Sequence, residues 1–219
     1  MNYNKTLLLK QELIINSLSN YFDEKCLIYS IIPCKNTKNY LKKYKFVFNN
    51  KYKKNIYFSE IINKLCLFFI KFKNECDIIP KSFWNSILFR EIDNQIMIKI
   101  NLILDDDDIE YIWNVEIESL CVKIKDLLKE NNYILSLFKY EFINLNKIYI
   151  YEGNEYSKYK LNINNLDIKM YMTIDSFFGG NYNIMSDMYT IIYNQLKNLK
   201  YKNIILLGND SANISVLLP

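Results

Sequence analysis

Histidine is absent from this 219-residue chain, so no mechanism built on an imidazole base or ligand is open to it. Arginine is nearly absent: Arg90 stands alone among 28 basic residues. Four glycines and three prolines leave little room for glycine-rich phosphate loops or proline-rich linkers. Long apolar runs are missing too. The longest, residues 65–70, is far shorter than the roughly 20 residues that cross a bilayer, so no membrane is expected as a partner. The five cysteines (Cys26, Cys34, Cys66, Cys76 and Cys121) are odd in number and lack metal-ligand spacing. They read as free thiols, mostly core filler, in a reducing compartment. The N-terminus has no apolar signal core, which points to the cytoplasm. Its first twenty residues are amphipathic and lysine-bearing, which leaves a mitochondrial or other organellar location open; Glu12 and the shortage of arginine argue against it.

What is present is apolar and aromatic. Half of the residues are hydrophobic and 16% are aromatic, ample material for a packed core. The surplus of Ile, Asn, Lys and Tyr fits an AT-rich coding sequence, so lysine content alone says little. Distribution says more. Eight lysines (35, 38, 42, 43, 45, 51, 53 and 54) fall within residues 35–54 with no acidic residue among them. Without them the remaining 20 basic residues face 24 acidic ones, so the net charge of +4 resides in this segment. Tyr40, Tyr44, Phe46, Phe48 and Tyr52 interleave with the lysines. Lysines contact phosphates and aromatic rings stack on unpaired bases. The same pattern is also that of a solvated hairpin with an aromatic inner face.

Periodicity predicts an α+β chain. A helix is expected over 5–22, then strands over 44–48 and 56–58. Ser59 and Glu60 mark the start of a helix over 61–72. Strands over 86–92 and 95–104 flank a tight turn at Asp93-Asn94. The run Asp105–Asp108 reads as a cap on a helix over 109–130, not as a cation site, because no spaced oxygen ligands surround it. No metal is expected. Further strands are predicted over 133–140, 147–151 and 167–173, then a helix carrying Ile184, Met185, Met188, Ile191 and Ile192 on one face. A short apolar strand over 203–207, a turn at 208–211 and another helix start complete the chain. A strand of that kind needs neighbours. It is expected to join the edge of the preceding sheet, to be completed by a protein partner, or to mark a truncated reading frame.

In this order the segments resemble the RNA (uracil-5-)-methyltransferases, the family that makes 5-methyluridine in tRNA and rRNA. The resemblance runs through Pro33-Cys34 and Tyr40-Leu41-Lys42-Lys43-Tyr44-Lys45-Phe46, then Leu88-Phe89-Arg90-Glu91 and Gln95-Ile96-Met97-Ile98-Lys99-Ile100. It continues in Gly153-Asn154-Glu155-Tyr156 and in Ser176-Phe177-Phe178-Gly179-Gly180-Asn181, with Met188-Tyr189 in the next helix. It ends in Leu206-Leu207-Gly208-Asn209-Asp210-Ser211-Ala212, similar to the family's cofactor motif. The resemblance implies an RNA-recognition domain over 1–175, a mixed or antiparallel sheet with flanking helices. Over 176–219 it implies the first strand and helix of an incomplete Rossmann-like, S-adenosylmethionine-dependent methyltransferase domain.

By the same resemblance, Tyr40, Lys42, Lys43, Tyr44, Lys45 and Arg90 are RNA-binding candidates. Phe178, Asn181, Gly208 and Asp210 mark a degenerate cofactor site. Gly179 replaces the family's loop glutamine, Asp210 and Ala212 replace glycines beside the cofactor, and Leu41 replaces an arginine. The family's thiolate and base have no counterpart in the chain. The expectation is therefore an RNA-binding relative with no catalytic residue and no cofactor of its own as a single chain. Two alternatives stand beside it. The chain is one part of a split or truncated enzyme that takes S-adenosylmethionine with its partner, or a structural subunit of a ribonucleoprotein assembly.

Overall fold

Strand pairing sets the architecture, and in the computed structural model it is nearly sequential. The structure describes residues 3–21, 33–34, 36–48, 52–77, 79–104, 107–163, 165–176 and 181–198. The chain divides into two compact units, residues 1–35 and 36–219. In the first, helix α1 (Tyr3–Leu18) ends in a 3-10 turn at Ser19–Tyr21, close to the predicted helix.

The second unit holds β1 (Lys43–Val47), α2 (Glu60–Glu75), β2 (Trp84–Ile92), β3 (Gln95–Leu102) and α3 (Asp107–Glu130). Then come β4 (Ile134–Phe142), β5 (Lys147–Gly153), β6 (Tyr156–Ile163), β7 (Leu166–Thr173) and α4 (Tyr182–Leu196). Strands β1 to β5 form one sheet in chain order, and β6 pairs with β7 in a separate hairpin. All pairs are antiparallel except β3–β4, where α3 carries the chain back for a parallel strand. The expected mixed sheet with flanking helices is what forms.

Local chemistry explains the elements. The Ser59 side chain accepts a hydrogen bond from the Ile62 N–H and caps α2. Ile61, Leu65, Phe69 and Phe72 then recur at helical spacing and are buried. In α3 the buried stripe is Trp113, Ile117, Leu120, Ile124 and Leu128. Both helices join the core that covers Phe46, Ile87, Phe89, Ile98, Ile100, Phe138 and Tyr140, one face of the large sheet. Asp93, at φ 53°, makes the predicted β2–β3 turn.

Strand β6 is an addition to the predicted elements. The signal was an alternation of Tyr156, Lys158, Lys160 and Asn162, all exposed, with Ser157, Leu161 and Ile163, all buried. Serine and tyrosine at inward positions blur it, since a period-2 reading looks for aliphatic residues there. Gly153 leads the chain from β5 towards this hairpin at φ +87°. A Cβ there would lie 2.1 Å from the Ser136 carbonyl oxygen, so glycine alone fits.

A second core joins β6, β7 and α4 (Leu161, Ile163, Met170, Met172, Met185 and Tyr189) to Ile92, Met97 and Leu137 of the large sheet. Residues on both sides of position 175 therefore share one hydrophobic cluster. Residues 27–32, Asn49, Asn50, Asp105 and Asp106, and the predicted strand–turn–helix over 203–218, lie outside the described residues.

Candidate functional site

The pleat of the large sheet sorts its charges. Residues paired across neighbouring strands share a face. On the face away from α2 and α3, one row reads Lys43, Arg90, Met97 and Leu137. The next reads Lys45, Leu88, Lys99 and Lys139, and the third Val47, Ser86, Asn101 and Glu141. Five cations from four strands thus lie on one sheet face. Lys42, one residue from Lys43, belongs to the opposite face and pairs there with the buried Glu91.

Four of these cations, Lys43, Arg90, Lys99 and Lys139, converge on the end of β7. Arg90 is fully buried, and its guanidinium donates to the Ser176 hydroxyl at 2.9 Å and to the Ser176 carbonyl. Lys43 Nζ donates to the carbonyls of Asp175 (3.2 Å) and Ser176 (3.0 Å). The Asp175 carboxylate receives Lys139 at 2.8 Å and Lys99 at 3.3 Å, while Lys99 also holds Glu141 at 2.7 Å. Ser176 is fixed further by Thr173, whose hydroxyl accepts from its N–H at 3.0 Å and whose carbonyl accepts from its hydroxyl at 2.9 Å.

Magnitudes show why this junction is tight. Taking a guanidinium out of water costs several kcal/mol. Hydrogen bonds made by a charged donor return about 1.5–3 kcal/mol each, so Arg90 needs both contacts to Ser176. Burial alone would lower Lys99, but its hydrogen bond to Glu141 and the charges of Asp175 and Glu141 raise it above the usual lysine range. Burial would raise Asp175, yet Lys139 and Lys99 hold it below the usual carboxylate range. Lys43 goes the other way. Burial and then the Arg90 charge lower it to about 8, only partly offset by Asp175. Five cations against two carboxylates leave this face with surplus positive charge, suited to an anion.

The RNA-binding candidates are therefore not equivalent. Lys45 is exposed and Lys43 half-buried on the cationic face. Lys42 faces the helices, where its charge is spent on Glu91. Tyr44 packs against Phe58, ring centroids 4.0 Å apart, at the edge of the core, and Tyr40 lies 5.7 Å from Tyr57. Arg90 is buried and acts as an anchor for the chain at Ser176. Lys99 and Lys139, absent from the sequence-derived candidates, join the site because register across strands places them there; no local pattern announces that.

Of the four cofactor candidates, Asn181 is the one described, and its side chain caps α4 by accepting from the Ile184 N–H. Phe178, Gly208 and Asp210 lie outside the described residues. Among the described residues, no group of three or more acidic or thiol side chains gathers for a metal ion, and no helix is long and apolar enough to cross a membrane. Cys66 and Cys121 are buried, and burial pushes both thiols up to about 12, far from nucleophilic.

This arrangement of a mixed sheet and flanking helices has a counterpart among solved structures. Among solved structures the chain is similar to the Pyrococcus abyssi tRNA (uracil-54, C5)-methyltransferase in complex with S-adenosyl-L-homocysteine, with a TM-score of 0.56 and 12% identity. The match covers 92% of this chain and 49% of that one, so the chain spans about half the length of its structural neighbour. No family model and no curated protein matches the chain. The expected likeness to uracil-5 methyltransferases holds at the level of the fold.

The Lys43 environment makes a pH prediction. Its folded pKa lies below the unfolded value of 10.5, so the folded state carries a charging cost at pH 7. That cost is relieved as pH rises from about 8 towards 10.5. Nuclear magnetic resonance of the Lys43 side chain is expected to show a midpoint near 8, and Asp175→Asn should lower it further. A midpoint at the ordinary lysine value would show that the amine is not held as described.

Proposed function

We propose that this chain binds RNA through the cationic face of its five-stranded sheet and that its described part supplies recognition without chemistry. The observation that carries this reading is the placement of Lys43, Lys45, Arg90, Lys99 and Lys139 on one face around two carboxylates. Phosphodiester groups are the anions that fit an extended array of this kind. The fold shared with a tRNA methyltransferase favours RNA over other polyanions. Lys45 and Lys43 supply phosphate contacts at the rim. Lys99 and Lys139 contribute charge beneath them, already engaged with Asp175 and Glu141. In this reading residues 1–175 form the recognition part and residues 176–219 open a methyltransferase-like part.

The test separates neighbours in sequence. A Lys43→Ala/Lys45→Ala double variant is expected to weaken binding of a tRNA stem-loop and to reduce the steepness of its salt dependence by about 1.5, two phosphate contacts' worth. Lys42→Ala, on the other face, should leave affinity unchanged while lowering stability, because it strands Glu91 in the core. Unchanged affinity in the double variant would sink the proposal.

A second reading is favoured by the coverage of the structural neighbour: the chain is one part of a split uracil-5 methyltransferase that takes S-adenosylmethionine with a second polypeptide. Calorimetric titration of S-adenosylmethionine into the chain alone is expected to give no saturable heat. A one-to-one isotherm would show that the chain takes the cofactor by itself, contradicting both readings.

A further inference from the structure

A groove of about 630 Å³ runs beside the β6–β7 hairpin, away from the Arg90 cluster. Its walls include Gln95, Ser136, Asn154, Tyr156, Lys158 and Tyr171. Two tyrosines in it are unusually open: Tyr156 is 55% exposed and Tyr171 60%. Their rings meet edge to face with centroids 5.5 Å apart, and Lys158 Nζ lies 5.8 Å from the Tyr171 ring centroid. Amphipathic rings fixed by a neighbouring ring form a rigid apolar wall, and the groove floor adds backbone and hydroxyl groups. That combination suits a planar heteroaromatic ligand.

The outer face of the hairpin carries matching charge. Lys158 pairs in register with Tyr171, and Lys160 directly with Lys169. Like charges directly opposite one another on paired strands destabilise the hairpin unless an anion lies between them. None of these three lysines forms an ion pair among the described residues, whereas Asp167, further along, accepts a hydrogen bond from Asn162. A row of cations without carboxylate partners, leading into a groove walled by exposed rings, is the arrangement that holds a phosphate backbone while an unpaired base stacks.

The geometry points to this groove as a binding site for single-stranded RNA, with a base stacked on Tyr156 or Tyr171 and the adjoining phosphates on Lys158, Lys160 and Lys169. The site rests on the RNA-binding reading above and extends it to an unpaired segment on a separate element. Duplex RNA, whose bases are stacked internally, gains nothing from the two rings.

The test uses the full chain and fluorescence anisotropy with a labelled single-stranded oligouridine and with a labelled RNA duplex. Tyr156→Ala/Tyr171→Ala is expected to weaken single-strand binding by about tenfold and to leave duplex binding unchanged. Tyr156→Phe/Tyr171→Phe, which keeps the rings, should bind as the parent does. Since both positions are exposed, folding can be checked by circular dichroism in each variant. Single-strand affinity that survives the alanine pair would overturn the groove site, and if Lys43→Ala/Lys45→Ala still weakened binding, only the groove site would fall. Displacement of the oligouridine by polyglutamate as readily as by unlabelled RNA would also overturn it, exposing a general polyanion surface. Failure of the parent chain to bind either RNA would overturn this site and the RNA-binding reading together.

Discussion

The buried guanidinium of Arg90 ties the five-stranded sheet to the end of β7. A permanent charge inside a protein needs hydrogen bonds, and the two terminal nitrogens of Arg90 find theirs at a single residue, Ser176. That bond pins the end of β7 to the centre of the five-stranded sheet. Asp175 is thereby held where Lys99 and Lys139 reach its two oxygens, and Lys43 closes over the same backbone. The second core, in which the hairpin and α4 meet Met97 and Leu137, lies on the same sheet face.

Much of this fold was legible in the sequence, and the exceptions have physical causes. The β2–turn–β3 unit follows from alternating isoleucines around Asp93-Asn94, and α2 from Ser59 before a helical stripe. Strand β6 was obscured because its inward positions include Ser157 and Tyr159. The candidate site was legible only in part. A run of lysines at 42, 43 and 45 looks uniform, but the pleat sends Lys42 to the helix-covered side and the other two to the opposite side. Arg90 is found by its rarity, yet its burial depends on pairing with β1 and on Ser176, 86 residues away. Lys99 and Lys139 meet only through the parallel pairing that α3 makes possible.

In the proposed function, backbone and base contacts fall to two different surfaces. The sheet face offers charge with no aromatic platform, since Tyr44 is turned towards Phe58 in the core. The hairpin offers exposed rings as well as charge. Phosphate contacts position a nucleic acid without reading it, whereas a stacking platform selects for unpaired bases.

Lysine acylation footprinting, read by mass spectrometry with and without a tRNA stem-loop, tests the central claim most directly, because it reports each amine separately. The account predicts that RNA protects Lys45 and the hairpin residues Lys160 and Lys169. Lys64 and Lys71 on α2, across the sheet, should react equally in both conditions. Protection confined to the α2 lysines, with Lys45 and the hairpin unaffected, would place the RNA on the other side of the molecule and contradict the account.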